Sequence, residues 1–305
     1  MGLSGWLIVK GLPLVPRPIV GRVASRYVAG GTLDDALTVV ERLSAEGAMA
    51  TLDLLGEEVS ERSRATAAAN EYERMLEAIA ARRLPSNVSI KLSSLGLKID
   101  PGFCRENVER IVEVAARHGN FVRIDMEDHT TTDATLAIYR EILARYSNLG
   151  VAFQSYMRRT LADIAGLPET GANVRLCKGI YIEPRTMAWK GSETVRLNYL
   201  SALEKLLERG TYVGIATHDE HLVCGAVALL ERLSVPRERY EFQMLLGVDP
   251  ELRRILIAGG HRLRVYVPYG RDWYPYSVRR LRENPEVATR VLKALFSARG
   301  GSGGR

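Results

Sequence analysis

Cysteine is scarce in this sequence, with 3 among 305 residues. Cys104, Cys177 and Cys224 are an odd number at no spacing typical of a metal site. A disulfide framework or a zinc-cysteine site is therefore not predicted. Free thiols are instead typical of a reducing cytosol.

The sequence also lacks a long apolar run. Its first 20 residues are mildly apolar but carry three prolines and no basic segment, so neither a signal peptide nor a membrane span is predicted. The formal net charge of +6 is uneven, because residues 251–305 hold twelve Lys and Arg against four acidic residues. This basic end favours phosphate, carboxylate, nucleic acid or an anionic membrane surface, or is simply a solvated helical face. We therefore predict a cytoplasmic protein, for which peripheral attachment to the inner face of the cell membrane stays open.

Short apolar runs alternate with amphipathic stretches of helical period along most of the chain. Thr32 is placed to cap the first helix, LDDALTVVERLSAE, and Gly47 to end it. The apolar runs predict eight strands, at 49–55, 88–93, 121–126, 151–156, 174–179, 212–218, 240–245 and 263–268. Eight strands alternating with helices in one domain predict an α/β fold, a (βα)8 barrel. A doubly wound sheet is the alternative, although no G-x-G-x-x-G follows any strand.

Most predicted strands end in a side chain that hydrogen-bonds or carries charge. The active sites of (βα)8 barrels lie at these carboxyl ends, although polar residues also mark where strands become loops. The residues are Asp53, Lys91, Asp125, Glu127, Gln154, Arg175, Lys178, Thr217, His218, Gln243 and Tyr266. Charges inside apolar runs are costly unless they are paired, so we expect Lys91 and Asp125, on neighbouring strands, to form an ion pair.

Metal, serine and cysteine chemistry have weak support in the sequence. His218 and His221 lie three residues apart, but no H-x-H or H-E-x-x-H motif occurs, so we predict no metal site. There is no G-x-S-x-G motif, and Cys177 has no evident activating histidine. Nucleic-acid binding is supported only by the basic end and its aromatic residues, so we do not predict it.

Two adjacent arginines follow the last predicted strand in the segment PYSVRRLRE. The segment places Arg279 and Arg280 near the barrel mouth, with Glu283 one helical turn later. Paired guanidinium groups grip a small carboxylate in bidentate fashion. We therefore favour a carboxylate-binding site over a solvated face.

At this point the ordered motifs RIDMED, FQSY, VRLCKGIY, ATHDEH, YEFQMLLG and VYVPYGRDWYPYSVRR resemble the proline dehydrogenase family. The resemblance covers most of the chain and is closer to the monofunctional bacterial members. It implies a distorted (βα)8 barrel of the TIM type with N-terminal helices, whose eighth helix lies over the carboxyl ends of the strands. The expected domains are an N-terminal helical segment (1–47), the catalytic barrel (48–299) and a flexible tail (300–305).

The resemblance also implies roles for individual residues. Arg279 and Arg280 would bind the proline carboxylate, and Glu283 would orient them. Lys91 and Asp125 would form a paired acid and base beside the substrate amine. The residues expected to pack around the pyrrolidine ring are Tyr181, Leu245, Tyr266 and Tyr276. The residues expected to contact FAD are Met126, Gln154, Arg175, Lys178, Gly179, Ile180, Thr217 and His218.

These residues suit a hydride transfer from C5 of L-proline to FAD, which yields Δ1-pyrroline-5-carboxylate. Asp125 would accept the amine proton and Arg175 would stabilise the reduced flavin, so we take both as catalytic. The resemblance implies a quinone as electron acceptor. Two departures from the family pattern are Ile180 for a common Ala and Cys177 for a common Val, and the larger side chain at 180 would narrow the pocket or displace the flavin and so affect substrate affinity. The alternative is a barrel that binds a small carboxylate or phosphate without redox chemistry.

Overall fold

The computed structural model describes residues 26–168, 171–274 and 276. Eight parallel strands form a closed barrel in which each strand pairs with its neighbours in chain order and β8 pairs with β1. The strands are β1 (Met49–Leu54), β2 (Ser86–Ile90), β3 (Val122–Ile124), β4 (Leu149–Gln154), β5 (Asn173–Cys177), β6 (Tyr212–Ala216), β7 (Tyr240–Leu245) and β8 (Leu263–Tyr269). The predicted (βα)8 barrel is confirmed.

Helices connect the strands on the outside of the barrel, as expected for parallel pairing. They are α1 (Leu33–Ala45), α2 (Arg62–Ala81), α3 (Pro101–Arg117), α4 (Thr132–Leu143), α5 (Thr160–Ala165), α6 (Ser192–Glu208), α7 (Glu220–Arg232) and α8 (Pro250–Ala258), with 3₁₀ turns at Leu92–Leu95 and Arg237–Arg239. The helix predicted to follow β8 and cover the strand ends lies outside the described residues. The division into segments 1–47, 48–299 and 300–305 stays a prediction.

Helix α1 begins and ends where the sequence predicts. The Thr32 hydroxyl accepts from the Asp35 amide, and the Asp35 carboxylate accepts from the Thr32 amide, so a capping box fixes its first turn. Gly47, at φ +82°, lets the chain turn back into β1. The helix packs against β1 and β8, so it covers the seam where the barrel closes.

Strand β7 has the predicted bounds, whereas the other strands begin or end up to three residues away from the prediction. At β2 and β3 the loops that follow the strands are joined. Strand β2 ends at Ile90, since the next residues form the 3₁₀ turn Leu92–Leu95. The Glu127 carboxylate accepts the Ser93 amide of this turn at 2.9 Å. This contact takes the chain out of extended geometry and shortens both strands at the barrel mouth.

The two faces of the strands differ in polarity. Outward side chains such as Ile90, Ile124 and Leu176 are fully buried under the helices in one continuous core. The inward face carries hydrogen-bonded polar and charged side chains, whereas barrel interiors are usually filled by branched aliphatic residues. Burying so many polar groups is favourable only if they are paired. The interior is therefore a polar network, and its upper end forms the floor of a cavity.

Candidate active site

A cavity of about 810 Å³ opens at the carboxyl ends of the strands. This volume lies within the range of cavities that hold small molecules and cofactors. It is lined by 14 of the residues predicted from the sequence: Lys91, Asp125, Met126, Gln154, Arg175, Lys178, Gly179, Ile180, Tyr181, Thr217, His218, Leu245, Tyr266 and Tyr276. The remaining three, Arg279, Arg280 and Glu283, lie outside the described residues. Side chains distant in the sequence thus surround one space, and their individual roles stay predictions.

Asp125 accepts hydrogen bonds through both of its carboxylate oxygens. One carboxylate oxygen pairs with the Arg175 guanidinium and accepts from the Ser89 hydroxyl at 2.7 Å. The other accepts from the Tyr266 hydroxyl at 2.7 Å. Burial alone would raise the pKa of Asp125, but the charges of Arg175 and Lys91 outweigh it and lower that pKa. Asp125 is therefore an ionised carboxylate, held in place from three sides.

Lys91 lies between two carboxylates, and its closest partner is not the predicted one. Its Nζ is 2.6 Å from an oxygen of Asp53 and 4.0 Å from an oxygen of Asp125. The predicted pair exists only as the longer of the two contacts, because Asp125 is already engaged by Arg175. Burial lowers the pKa of Lys91, yet both carboxylates overcome this effect and raise it above its ordinary value. Burial raises the pKa of Asp53 to about 6, while Lys91 opposes the rise.

Cationic groups gather at the other side of the cavity, around the amino end of α7. Asp219 caps this helix by accepting the His221 amide, and it also accepts from Lys178 at 3.1 Å and from Arg196 at 2.9 Å. Although burial opposes it, these two cations lower the pKa of Asp219 to about 2. Two cations at a helix amino terminus suit a phosphate group.

The imidazole of His218 has a defined tautomer. Its Nε2 lies 2.9 Å from the backbone N–H of Leu245. A backbone N–H only donates, so Nε2 accepts and the ring proton is on Nδ1.

Gly179 lines the cavity and packs too closely against the Tyr156 ring for any side chain. Its φ is +111°, and a Cβ there would lie 2.2 Å from the Tyr156 ring. The preceding residue, Lys178, is tied to the same segment, since its carbonyl accepts the Tyr156 amide at 2.8 Å. The loop is also fastened at Glu183, whose carboxylate accepts the His129 amide at 2.8 Å. The β5–α6 loop is thus held close to the cavity wall.

The two departures from the family pattern have different surroundings. Ile180 lines the cavity and is 37% exposed, so its larger side chain extends the apolar wall. Cys177 also lines the cavity, and its thiol donates to the Phe153 carbonyl at 3.3 Å. Burial raises the pKa of Cys177 to about 12. Since thiolates are the reactive form, this thiol is unsuited to nucleophilic chemistry.

Several residues of the site were not assigned to it from the sequence. Asp53 and Gln243 were recognised as polar strand residues. The alternation of inward and outward side chains along each strand is the signal that they point into the barrel. Tyr27, Arg196 and Asp219 also line the cavity, yet they come from segments outside the strands. No sequence pattern marks such residues, because only the folded chain brings them to the strand ends.

Comparison with known proteins gives consistent results. The sequence model of the family "Proline dehydrogenase" matches residues 36–293. Proline dehydrogenase 1 of Bacillus subtilis is 37% identical over 273 residues, which is 90% of each chain. Proline dehydrogenase of Deinococcus radiodurans is 37% identical over 279 residues, again 90% of each.

Solved structures share the fold. Proline utilization A from Bdellovibrio bacteriovorus, inactivated by N-propargylglycine, superposes with a TM-score of 0.80 at 23% identity. The match covers 86% of this chain and 32% of that one, so this chain corresponds to about a third of the larger protein. That likeness concerns the fold alone. The family match and the curated relatives together show that the chain belongs to the proline dehydrogenase family.

Proposed function

We propose that the chain oxidises L-proline to Δ1-pyrroline-5-carboxylate, the first step of proline catabolism, with FAD as cofactor and a quinone as final electron acceptor. Family membership supports the reaction. The observation that carries it in this chain is the convergence of Lys91, Asp125, Arg175 and Tyr266 on the floor of one cavity. When bound there, the flavin supplies the acceptor for the hydride that leaves C5.

The residues around the cavity fit a flavin nucleotide. Gly179 packs against the Tyr156 ring, where no Cβ fits, and thereby keeps the β5–α6 loop at the cavity wall. Lys178, Arg196 and the α7 amino end suit the pyrophosphate. The donors and apolar contacts proposed to hold FAD are Met126, Gln154, Arg175, Lys178, Gly179, Ile180, Thr217 and His218. Among them, His218 is held in position at the cavity wall because its Nε2 accepts from the Leu245 amide.

Asp125 is proposed to hold the proton that the substrate amine must lose before oxidation. Its ionised state suits this role, and its links to Tyr266 and Arg175 fix the direction of its oxygens. Arg175 is also proposed to stabilise negative charge that develops on the reduced cofactor. Its side chain is only 8% exposed, so water screens this charge little.

The substrate ring is proposed to pack among four side chains that line the cavity, and its carboxylate to bind beyond them. The ring contacts are Tyr181, Leu245, Tyr266 and Tyr276. The hydroxyl of Tyr266 donates to Asp125 and lies 3.3 Å from Lys91 Nζ, so this ring is anchored at the floor of the cavity. Arg279 and Arg280, oriented by Glu283, remain the proposed carboxylate ligands on sequence grounds.

An anaerobic titration tests the reaction directly. The purified protein should be yellow, and L-proline should bleach its flavin absorbance. A colourless protein without flavin in its denatured supernatant would favour the alternative, a barrel that binds a small carboxylate or phosphate without redox chemistry.

Asp125→Asn and Asp128→Asn form a matched pair for the same titration. Asp128 lies three residues along, but its carboxylate caps the local turn by accepting the Thr130 amide at 2.9 Å. Asp125→Asn should slow bleaching by roughly 10²-fold or more while the protein stays yellow. Asp128→Asn should bleach at the normal rate, and equal rates for both variants would remove Asp125 from the mechanism.

The proposed site of action is the cytoplasm, with peripheral attachment to the inner face of the cell membrane, where quinones are found. The basic segment 251–305 supports this proposal through its attraction to anionic lipids. Among the described residues, no helix has the length and apolar character needed to cross a bilayer. Co-sedimentation with anionic but not neutral vesicles would support the attachment.

A further inference from the structure

A chain of buried hydrogen bonds runs through the barrel interior and ends at Arg175. At the amino-terminal end, Arg264 donates to both oxygens of Glu241, at 2.7 Å and 3.1 Å. The Gln243 amide nitrogen donates to Glu241 at 2.7 Å, and the Gln243 amide oxygen accepts from Arg175 Nε at 2.6 Å. Arg175 NH1 in turn pairs with Asp125. The proposed catalytic pair is thus connected to the opposite end of the barrel.

Only one orientation of the Gln243 amide satisfies both neighbours. The Glu241 carboxylate only accepts, and the Arg175 guanidinium only donates. A flipped amide would place oxygen against oxygen at one end and N–H against N–H at the other. Glu241 therefore determines that the Gln243 oxygen faces Arg175.

A glycine on the neighbouring strand provides the space for this amide. A Cβ at Gly214 would lie 2.4 Å from Gln243 Nε2 and 2.8 Å from its Cδ. Gly214 lies within β6, and no left-handed backbone conformation requires a glycine there. Glycine is therefore required at position 214 for steric reasons. This observation is independent of the hydrogen-bond argument.

We propose that Glu241 and Gln243 are positioning residues that fix the guanidinium of Arg175 against Asp125. This inference rests on the proposed function, in which that pair faces the cofactor and the substrate amine. This series of hydrogen bonds takes the place of the aliphatic side chains usual in a barrel interior. It fixes the orientation of each side chain from Arg264 to Asp125. Burial raises the pKa of Glu241, but Arg264 outweighs burial and lowers that pKa to about 2, so the acceptor is ionised near neutral pH.

Loss of the orientation should affect the chemical step more than substrate binding. Without the Gln243 oxygen, Arg175 Nε loses its acceptor and the guanidinium can turn away from Asp125. Burial raises the pKa of Asp125, and the charges of Arg175 and Lys91 together lower it, so with Arg175 turned away the pKa of Asp125 would rise. The acidic limb of the kcat/KM profile would move to higher pH, and KM for proline would change little.

Gln243→Met and Gly214→Ala test this proposal from two directions. The first removes the acceptor at similar volume, and the second displaces the amide without touching a charged group. Both should lower kcat by roughly tenfold or more, with KM within about threefold and the acidic limb shifted upward. Thr51→Val is the control, since it removes another buried bond of the barrel interior, to Asn87, that does not reach Arg175. It should lower the melting temperature without moving the acidic limb.

A charge-conserving exchange provides the rescue. In the double variant Glu241→Gln/Gln243→Glu, the amide at 241 donates to the carboxylate at 243, which still accepts from Arg175. Its kcat should exceed that of Gln243→Glu alone, where two carboxylates meet. A kcat no higher than the single variant, or an unmoved acidic limb in Gln243→Met, would overturn the proposal.

The outcome is separable from that of the proposed function. If L-proline does not bleach the wild-type protein, the proposed function is refuted. Crystal structures of the variants then test the positioning role separately. The Arg175–Asp125 contact should be lost in Gln243→Met and kept in Thr51→Val. A contact kept in both variants would overturn the positioning role.

Discussion

Replacing Lys91 by methionine should destabilise the protein in a manner that depends on pH. The substitution removes the ammonium 2.6 Å from Asp53, whose side chain is only 1% exposed. Removing one partner of a buried ion pair typically costs about 3–5 kcal/mol, because the other charge stays buried without compensation. Asp53 has a pKa of about 6 even beside Lys91, so in the variant it should take up a proton at still higher pH.

The sign of the pH dependence follows from the raised pKa. The pKa of Asp53 is higher in the folded state than its unfolded value of 3.8. Its contribution to the free energy of unfolding is therefore fully present below pH 3.8. This contribution is lost as the pH rises through the folded pKa. At 1.36 kcal/mol per pH unit, the variant should lose on the order of 2 kcal/mol more stability at pH 8 than at pH 5.5, relative to wild type.

Urea denaturation followed by circular dichroism at the two pH values measures this difference. Lys98→Met is the matched control, because Lys98 Nζ also lies 2.6 Å from a carboxylate, that of Glu58, but the two side chains are 41% and 68% exposed. Its loss should be within about 1 kcal/mol and equal at both pH values. Adding Asp53→Asn to Lys91→Met should remove the pH dependence. An equal loss at pH 5.5 and pH 8, or one as small as for Lys98→Met, would refute the argument.

Three further substitutions or conditions have defined outcomes. Gly179→Ala should leave a folded protein with a low flavin-to-protein ratio, since the new Cβ would lie 2.2 Å from the Tyr156 ring; a normal ratio would contradict this. Thr32→Ala should cost about 1 kcal/mol in urea denaturation and Thr32→Ser much less, because Thr32 caps α1 through the Asp35 amide. Burial raises the pKa of Glu241, but its arginine ion pair outweighs burial and lowers that pKa from 4.5 to about 2, so ionisation of Glu241 should contribute about 3 kcal/mol at neutral pH relative to its protonated form. That contribution is present above pH 4.5 and should vanish as the pH falls toward 2, where wild type and Glu241→Gln should become equally stable.

The barrel could be predicted because each strand is a short apolar run between polar helices. The parity of a strand also indicates which polar residues turn inward together, as Asp125 and Arg175 do. Parity does not identify partners, however. Lys91 has a carboxylate on each neighbouring strand, and the nearer one depends on the strand register and on the competition of Arg175 for Asp125. Residues that reach the cavity from loops and helices, such as Arg196, depend on tertiary packing alone.

The polar interior fixes the orientation of the site residues more than it stabilises the fold. Buried ion pairs such as Arg264–Glu241 typically contribute little net free energy compared with apolar packing of the same volume. The stability of this barrel must therefore come mainly from the outward faces, where residues such as Ile124 and Leu176 are fully buried under the helices. An interior of fixed donors and acceptors instead restricts the orientation of each member of the network. Arg175 can then present its charge to the cavity without the reorganisation that a water-exposed or loosely packed side chain would need.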